Sequence, residues 1–218
     1  MTKNKTRLFI VFILVAFTLF TSPIIKKPAF AVGDKWFVSE TGTGTDCSRT
    51  NPGPLQYCVE QKAQSGDTVY VEGNSYGESY HTDDPTDDNL LLIEKSLHLI
   101  GSCTWGSSGS VICEVTTKSS RLNGEFERRV IAVQGPGISV TIEGFTIYQG
   151  NAHEKPPLVG QFVIGAGGGI YAKDLDQLVL KDNHIWLNKA SDITLLQSRY
   201  AYGGGIFISG VKLLDIQN

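Results

Sequence analysis

The sequence predicts an all-β chain wound as a parallel β-helix, a solenoid of stacked coils with three short strands each. Three observations predict it. "GGGIYA" at Gly167 to Ala172 is nearly repeated as "GGGIFI" at Gly203 to Ile208, 36 positions later. "VTIEGFTIYQGNA" (Val140 to Ala152) aligns with "LVLKDNHIWLNKA" (Leu178 to Ala190) at a constant offset of 38, setting Ile142 on Leu180, Ile147 on Ile185, Tyr148 on Trp186 and Ala152 on Ala190. Each unit breaks into runs of four to six residues, "GGGIYA", "LVLKD" and "HIWLN", separated by Gly, Asp and Asn. Those are strand lengths bounded by turn residues, and self-similarity at a fixed period marks units that bury a face only by stacking.

The elements follow in order. Lys3, Lys5 and Arg7 precede the apolar run Leu8 to Phe20, and Ala29-Phe30-Ala31 closes the segment with a small-x-small pattern. A basic start, an apolar centre of 13 residues and that ending predict a secretory signal peptide over residues 1–31, cleaved after Ala31, with an uncleaved anchor as the alternative. A spanning helix wants about 20 apolar residues, and no later run reaches that length, so no further transmembrane segment is expected. Residues 32–66 should form a short strand and a helix. Leu55, Cys58, Val59 and Ala63 fall on one helical stripe, Pro54 suits its first turn, and Ser65-Gly66-Asp67 ends it. Residues 67–218 should form the coils.

Val69 to Val71 opens the expected stack, followed by coils starting at Leu90/Leu97/Val111, Val130/Ser139/Phe145, Gly168/Leu178/His184 and Gly204/Leu213. "LVLKDN" (Leu178 to Asn183) is echoed by "LLDIQN" (Leu213 to Asn218), which places Asn183 and Asn218 at equivalent corners, where Asn tolerates the left-handed conformation and can ladder. The glycines enter the first strand of each coil, where backbones approach and positive φ costs little. "GAGGGI" lacks the final glycine of a dinucleotide loop and the lysine of a phosphate loop, so nucleotide binding is rejected. The last coil lacks its third strand at Asn218, and the expectation is that the natural protein continues beyond it.

Removing residues 1–31 takes away five of the 19 basic residues and no acidic ones, leaving 14 against 22 and a formal charge of −8. An acidic exported chain is a poor partner for nucleic acid. Four cysteines allow three pairings; neighbour pairing, Cys47 with Cys58 and Cys103 with Cys113, is expected of loop staples in an oxidising compartment. No histidine completes a zinc pattern.

The stretch "KWFVSETGTGTDCSRTNPGPLQYCVEQKAQSGDTVYVEGNSYGES" (Lys35 to Ser79) resembles the opening of secreted bacterial proteins with right-handed parallel β-helix repeats, of the pectate-lyase-like fold superfamily. The resemblance implies a right-handed parallel β-helix with a short N-terminal capping helix, the helix covering strand edges and core at the open end. It also implies a secreted or cell-surface protein. It says little of activity, because the fold hosts unrelated functions.

Chemistry is sparse. The resemblance brings to mind polysaccharide lyases and glycoside hydrolases, but the Gly-His-Gly and Arg-x-Lys of polygalacturonase-like enzymes are absent. No strand carries paired aspartates at the roughly 6.5–9.5 Å an inverting hydrolase uses. Asp83, Asp84, Asp87 and Asp88 crowd one loop and could offer Ca²⁺ hard oxygen ligands; a solvated acidic loop is the preferred reading, so calcium is the one cofactor considered and none is required. Tyr148 and Trp186 hold one place in consecutive coils, as do Tyr171 and Phe207 on another strand. Alternation turns these rings outward while Phe145, Ile147, Ile170 and Ile185 point inward, giving an aromatic ladder suited to sugar rings or, in the preferred reading, a secondary apolar cluster under loops. The loops Thr116 to Arg129, His153 to Ala166 and Ser191 to Tyr202 share one corner. Their Arg121, Arg128, Arg129, His153, Glu154, Lys155, Asp192, Arg199 and Tyr200 read mostly as solvated charges, and His98 and His184 as strand positions. The leading expectation is a binding or structural module towards polysaccharide or a cell-surface component. A lyase or glycosidase using corner loops or downstream coils, and an adhesin or autotransporter passenger, are the alternatives.

Overall fold

Three ladders of parallel strands dominate the chain, in a computed structural model that describes residues 33–74, 79–82, 88–152, 164–190 and 200–218. The expected leader lies outside the described residues. The first described strand, β1 (Lys35–Val38), is followed by a short helix, α1 (Tyr57–Lys62), and by β2 (Asp67–Glu72). The chain then runs through β3 (Asn89–Ile93), β4 (Leu97–Thr104), β5 (Ile112–Cys113), β6 (Ser120–Asn123), β7 (Arg129–Gln134), β8 (Ser139–Glu143) and β9 (Phe145–Tyr148). It continues with β10 (Ile164–Ala166), β11 (Ile170–Lys173), β12 (Gln177–Lys181), β13 (His184–Trp186), β14 (Tyr200–Tyr202), β15 (Ile206–Ser209) and β16 (Leu213–Gln217).

The strand orders are β1-β2-β4-β8-β12-β16, β3-β7-β11-β15 and β6-β9-β13, so the chain visits the three ladders in rotation. The fold is all-β with parallel sheets; among the described strands β5 alone pairs antiparallel, against β4. Register follows the repeat: Leu180 pairs with Ile142, Ile185 with Ile147, Trp186 with Tyr148 and Ile206 with Ile170. Alternation then puts one apolar row of each strand inside. Leu99, Ile142, Phe145, Ile147, Ile131 and Ile170 are fully buried in a single core cluster, and Ile185 packs against it.

Two registers differ from the sequence reading. The third strand after β4 is β6, not Val111: the Cys103–Cys113 bridge folds residues 103–113 into a hairpin with Cys103 opposite Cys113. Ile112 is thereby turned out, and Ser120 and Leu122 take the inward places against Phe145 and Ile147. The second difference is a one-residue slip. Leu214, not Leu213, pairs with Leu178, because the offset of 36 set at Ile170 and Ile206 carries through the turn. A slip by one exchanges the two faces of a strand, so Leu214 and Ile216 hold the inward positions, both exposed. Asn183 and Asn218 therefore do not face each other.

Corners hold the register. Asn183 accepts from Phe145 N at 3.1 Å and donates to Ile142 O at 2.8 Å, while Asn188 accepts from Gly150 N at 2.7 Å and donates to Ile147 O at 3.1 Å. Each carboxamide thus replaces ladder bonds that the bend removes. Gly167 and Gly203 enter β11 and β15 with φ of +62° and +54°, a conformation cheap only for glycine. A side chain on Gly168 would meet the carbonyl oxygen of Lys189.

The N-terminal end is sealed by the expected helix. Leu55, Cys58, Val59 and Ala63 are buried as the stripe predicts, although the turn is wider than an α-helix, with Ala63 N bonding Cys58 O at 2.9 Å. Glu60 accepts the edge amide of Leu92 at 2.9 Å, and Lys95 donates to Glu60 O and Ala63 O at 2.8 and 2.9 Å. The loop held by Cys47–Cys58 covers β1, with Phe37 N bonding Cys47 O and Gly53 N bonding Phe37 O. Asp67, buried, ties this end together by accepting from Asp34 N (2.8 Å), Trp36 Nε1 (2.6 Å) and Gln64 N (2.7 Å). Both disulfides pair neighbours as expected.

Two stability measurements check this account. Ile147→Ala should lower unfolding free energy by about 3–4 kcal/mol in chemical denaturation, because the void lies in a closely packed interior. Asp67→Ala leaves three donors unmatched and should cost about 3 kcal/mol, with loss of the near-ultraviolet signal of Trp36.

Candidate functional site

The outer face of the β6-β9-β13 ladder gathers side chains in two rows. Register places Arg121 beside Thr146 and Thr146 beside His184 in one row, and Asn123 beside Tyr148 and Tyr148 beside Trp186 in the other. Neighbours within a row are about 4.8 Å apart, and the rows are separated by two residues, about 6.6 Å. Parity causes this arrangement: Leu122, Ile147 and Ile185 turn inward, so the residues on either side of each turn outward.

The aromatic row is ordered by ring contact. Tyr148 and Trp186 lie 5.7 Å apart and nearly parallel at 10°, and His184 lies 5.8 Å from Trp186, again at 10°. Trp186 remains 43% exposed. Such pairs contribute about 0.5–1.5 kcal/mol beyond area burial, which favours this ring orientation.

The polar row borders a cleft of about 410 Å³ lined by Asn74, Thr117, Lys118, Ser119, Arg121, Thr146 and His184. Its floor is fixed by backbone bonds. Thr146 Oγ1 donates to Lys118 O at 2.8 Å, and Arg121 N donates to Asn74 Oδ1 at 2.9 Å. Asn74 also borders a second cleft, about 200 Å³, with Ser39, Glu40, Thr41, Glu72, Gly73 and Tyr80. There its amide donates to Glu40 at 2.6 Å, and Tyr80 donates to Glu72 O at 3.0 Å. Burial, with Glu72 and Glu40 adding to it, pushes the Tyr80 hydroxyl far above its ordinary pKa, so it stays a donor. Among the described residues, Lys118 and Arg121 border one cleft and Glu40 and Glu72 the other.

The second expected aromatic pair is differently placed. Tyr171 and Phe207 stack at 5.5 Å on neighbouring strands, but the Arg129 guanidinium lies 4.7 Å from the Tyr171 ring. Both rings are half-buried. Arg128 and Arg129 are not solvated: they are 5% and 7% exposed, Arg129 donating to Ala166 O, Gly167 O and Asn89 and Arg128 to Thr82 O and Glu127. They hold the corner instead. Part of that corner is itself a small parallel pair, β10 with β14.

Asp83, Asp84 and Asp87 lie outside the described residues, as do His153, Glu154, Lys155, Asp192 and Arg199. Asp88 is exposed, and its carbonyl receives Arg129 N at 3.1 Å. Among the described residues no group of three or more metal-binding side chains comes together, and no helix is long and apolar enough to cross a membrane. The two clefts were not anticipated. Lys118 and Arg121 lie in a stretch read as loop, and only the inward pair Ser120 and Leu122 could have signalled a strand there.

His98 lies outward on β4. Its Nε2 is 3.7 Å from Glu143 Oε2, and Lys181 Nζ is 3.4 Å from the same oxygen. His98 chiefly, with Lys181, holds the Glu143 carboxyl below the usual glutamate range against the opposing effect of burial.

No family model, no curated protein and no solved structure matches the chain.

Because the folded Glu143 carboxyl binds its proton more weakly than the unfolded one, its stabilisation is complete above the ordinary value of about 4.3 and drains away as pH falls through the folded value. Glu143→Gln should therefore cost about 1 kcal/mol at pH 7 and nothing near pH 2, read from urea midpoints across that range.

Proposed function

We propose that the three ladders are the faces of a right-handed parallel β-helix, and that the chain is an exported, secreted or cell-surface module that binds carbohydrate through the outer face of β6, β9 and β13. The rotation of the chain through three ladders supports the architecture, and the resemblance of Lys35 to Ser79 to exported β-helix proteins supports its handedness. Two disulfides fit an oxidising compartment.

One observation carries the binding reading. Tyr148, Trp186 and His184 present nearly parallel rings, with Trp186 exposed and His184 lining the neighbouring cleft. Aromatic side chains stacked in register on the outer face of a ladder form a rigid amphipathic platform. Sugar rings have apolar faces of matching size and hydroxyl edges that suit Asn123, Thr146 and Asn74. Rigid rings also lose little entropy on binding, which favours affinity from a small area.

A glycan array probed with the protein should give a defined set of saccharide hits. Trp186→Ala should weaken those hits about tenfold while lowering the melting temperature by only about a few degrees. An array without signal, or hits untouched by the substitution, would remove the reading.

A further inference from the structure

Backbone conformation singles out one corner of the β6-β9-β13 face. We infer that Leu187, beside Trp186, is a specificity-determining residue: it receives a methyl group projecting from the sugar ring held at Trp186, either the C6 methyl of a 6-deoxy ring or the methyl of an N-acetyl group. The inference rests on the carbohydrate reading above and adds the substituent that the ligand carries.

Two observations carry it, strain and exposure at the same residue. Bends between strands call for left-handed residues, and several are filled by types that adopt that conformation readily. Gly144 and Asp182, at φ 80° and 50°, answer each other 38 positions apart, and Asp174 and Gly210, at φ 55° and 66°, 36 positions apart. Gly and Asp visit this region at low cost. The bend after β9 and after β13 is occupied instead by Gln149 and Leu187, at φ 54° and 50°, again 38 apart. A bulky side chain is strained there, and Leu has no polar atom with which to bond the local backbone in compensation. Among the described residues Phe126, at φ 60°, is the one other large apolar side chain held so, and it meets the same corner: its N–H donates to Gln149 O at 2.6 Å. Both are exposed, Leu187 at 53% and Phe126 at 38%. Leu187 thus combines a strained backbone with apolar surface left in water.

The surrounding bonds hold the strain in place. Asn188, the next residue, accepts from Gly150 N and donates to Ile147 O, and Lys189 N donates to Gly150 O at 2.7 Å. Strain over-determined in this way clusters at ligand contacts. Trp186 immediately precedes Leu187, with Cα atoms about 3.8 Å apart, so a substituent on a ring held at Trp186 meets the leucine next. A hydroxyl pressed against Leu would lose its water and gain no hydrogen bond, whereas a methyl gains apolar burial on both sides. The Phe126 ring already lies 4.7 Å from Lys189 Nζ, which leaves Leu187 as the more open apolar contact. One coil back, the half-buried Gln149 puts an amide at the equivalent place, so a ring on Tyr148 meets a polar corner. The methyl-bearing ring is therefore the one at Trp186.

Calorimetric titration of the full chain with three neutral oligosaccharide sets tests this: 6-deoxyhexose-containing, N-acetylhexosamine-containing and unsubstituted. At least one methyl-bearing set should bind about tenfold tighter than the unsubstituted set, and the two methyl-bearing arms tell the two sources of the methyl apart. Leu187→Asn should erase that preference, leave the affinity for the unsubstituted set unchanged, and raise the melting temperature by about 2–4 °C. A merely structural leucine would not give a lost preference together with higher stability. Leu187→Met, apolar and of similar size, should keep the preference. A preference that survives in Leu187→Asn, or a fall in that variant's melting temperature, overturns the inference. If the unaltered protein binds all three sets alike, the methyl reading falls and the carbohydrate reading stands. If no set binds, both fall.

Discussion

Everything in this molecule depends on ladder register. A short parallel strand satisfies its backbone only through the strands on either side of it in the ladder, and those come from sequence about 25 to 43 residues away, as Ser120 with Phe145 and Leu97 with Val140 illustrate. One residue of slip would turn Ile147 to solvent and Tyr148 to the core. Bends are where slip would begin, because there the ladder bonds stop. Asn183 and Asn188 bridge the gap with side chains that both accept and donate across it, and Gly168, where a side chain would meet the carbonyl oxygens of Lys189 and Gly150, lets neighbouring backbones come close enough to be bridged.

The candidate site is a by-product of the same constraint. Once Leu122, Ile147 and Ile185 are committed to the interior, the residues between and beside them have no choice but to face out in rows. Tyr148 falls on Trp186 and Thr146 on His184 without a dedicated loop to position them. A surface built this way inherits the rigidity of the core behind it. Loops confer shape less cheaply, and here they are anchored by buried arginines: Arg129 holds the carbonyls of Ala166 and Gly167 while lying against Tyr171.

The repeat made most of this legible from residues alone. Offsets of 36 and 38 located most strands from 130 onward, though not β10 and β14, which fell in stretches read as loops, and period-two alternation named inward or outward residues of β9, β11, β13 and β15. The helical stripe from Leu55 to Ala63 was visible because four apolar residues at helical spacing have few other uses. What escaped is also explicable. Val111 has the right composition for a strand, and nothing in composition reveals that a bridge from Cys103 to Cys113 will peel that segment away. The pairing of Leu214 with Leu178 was obscured because Leu213 and Leu214 are alike, so the eye has no parity to follow. Arg128 and Arg129 resemble solvated charges until partners far along the chain close over them. The cleft at Lys118 and Arg121 was hidden for the same reason as β6: a strand of four residues with Ser at an inward place offers little periodicity.

The hairpin closed by Cys103 and Cys113 shows what such a scaffold tolerates. Its tip is held from outside the ladder, Arg49 donating to the carbonyls of Gly106, Gly109 and Ser110 at 2.7, 2.6 and 3.1 Å, while β4 and β8 pair over Leu97 to Ile100 ahead of the excursion and the β2–β4 register absorbs a shift at its base. An evolving lineage, or an engineer, could lengthen, shorten or replace that tip as an independent cassette, since its ends are already welded side by side. Novelty at this place would then cost nothing in the architecture that carries it.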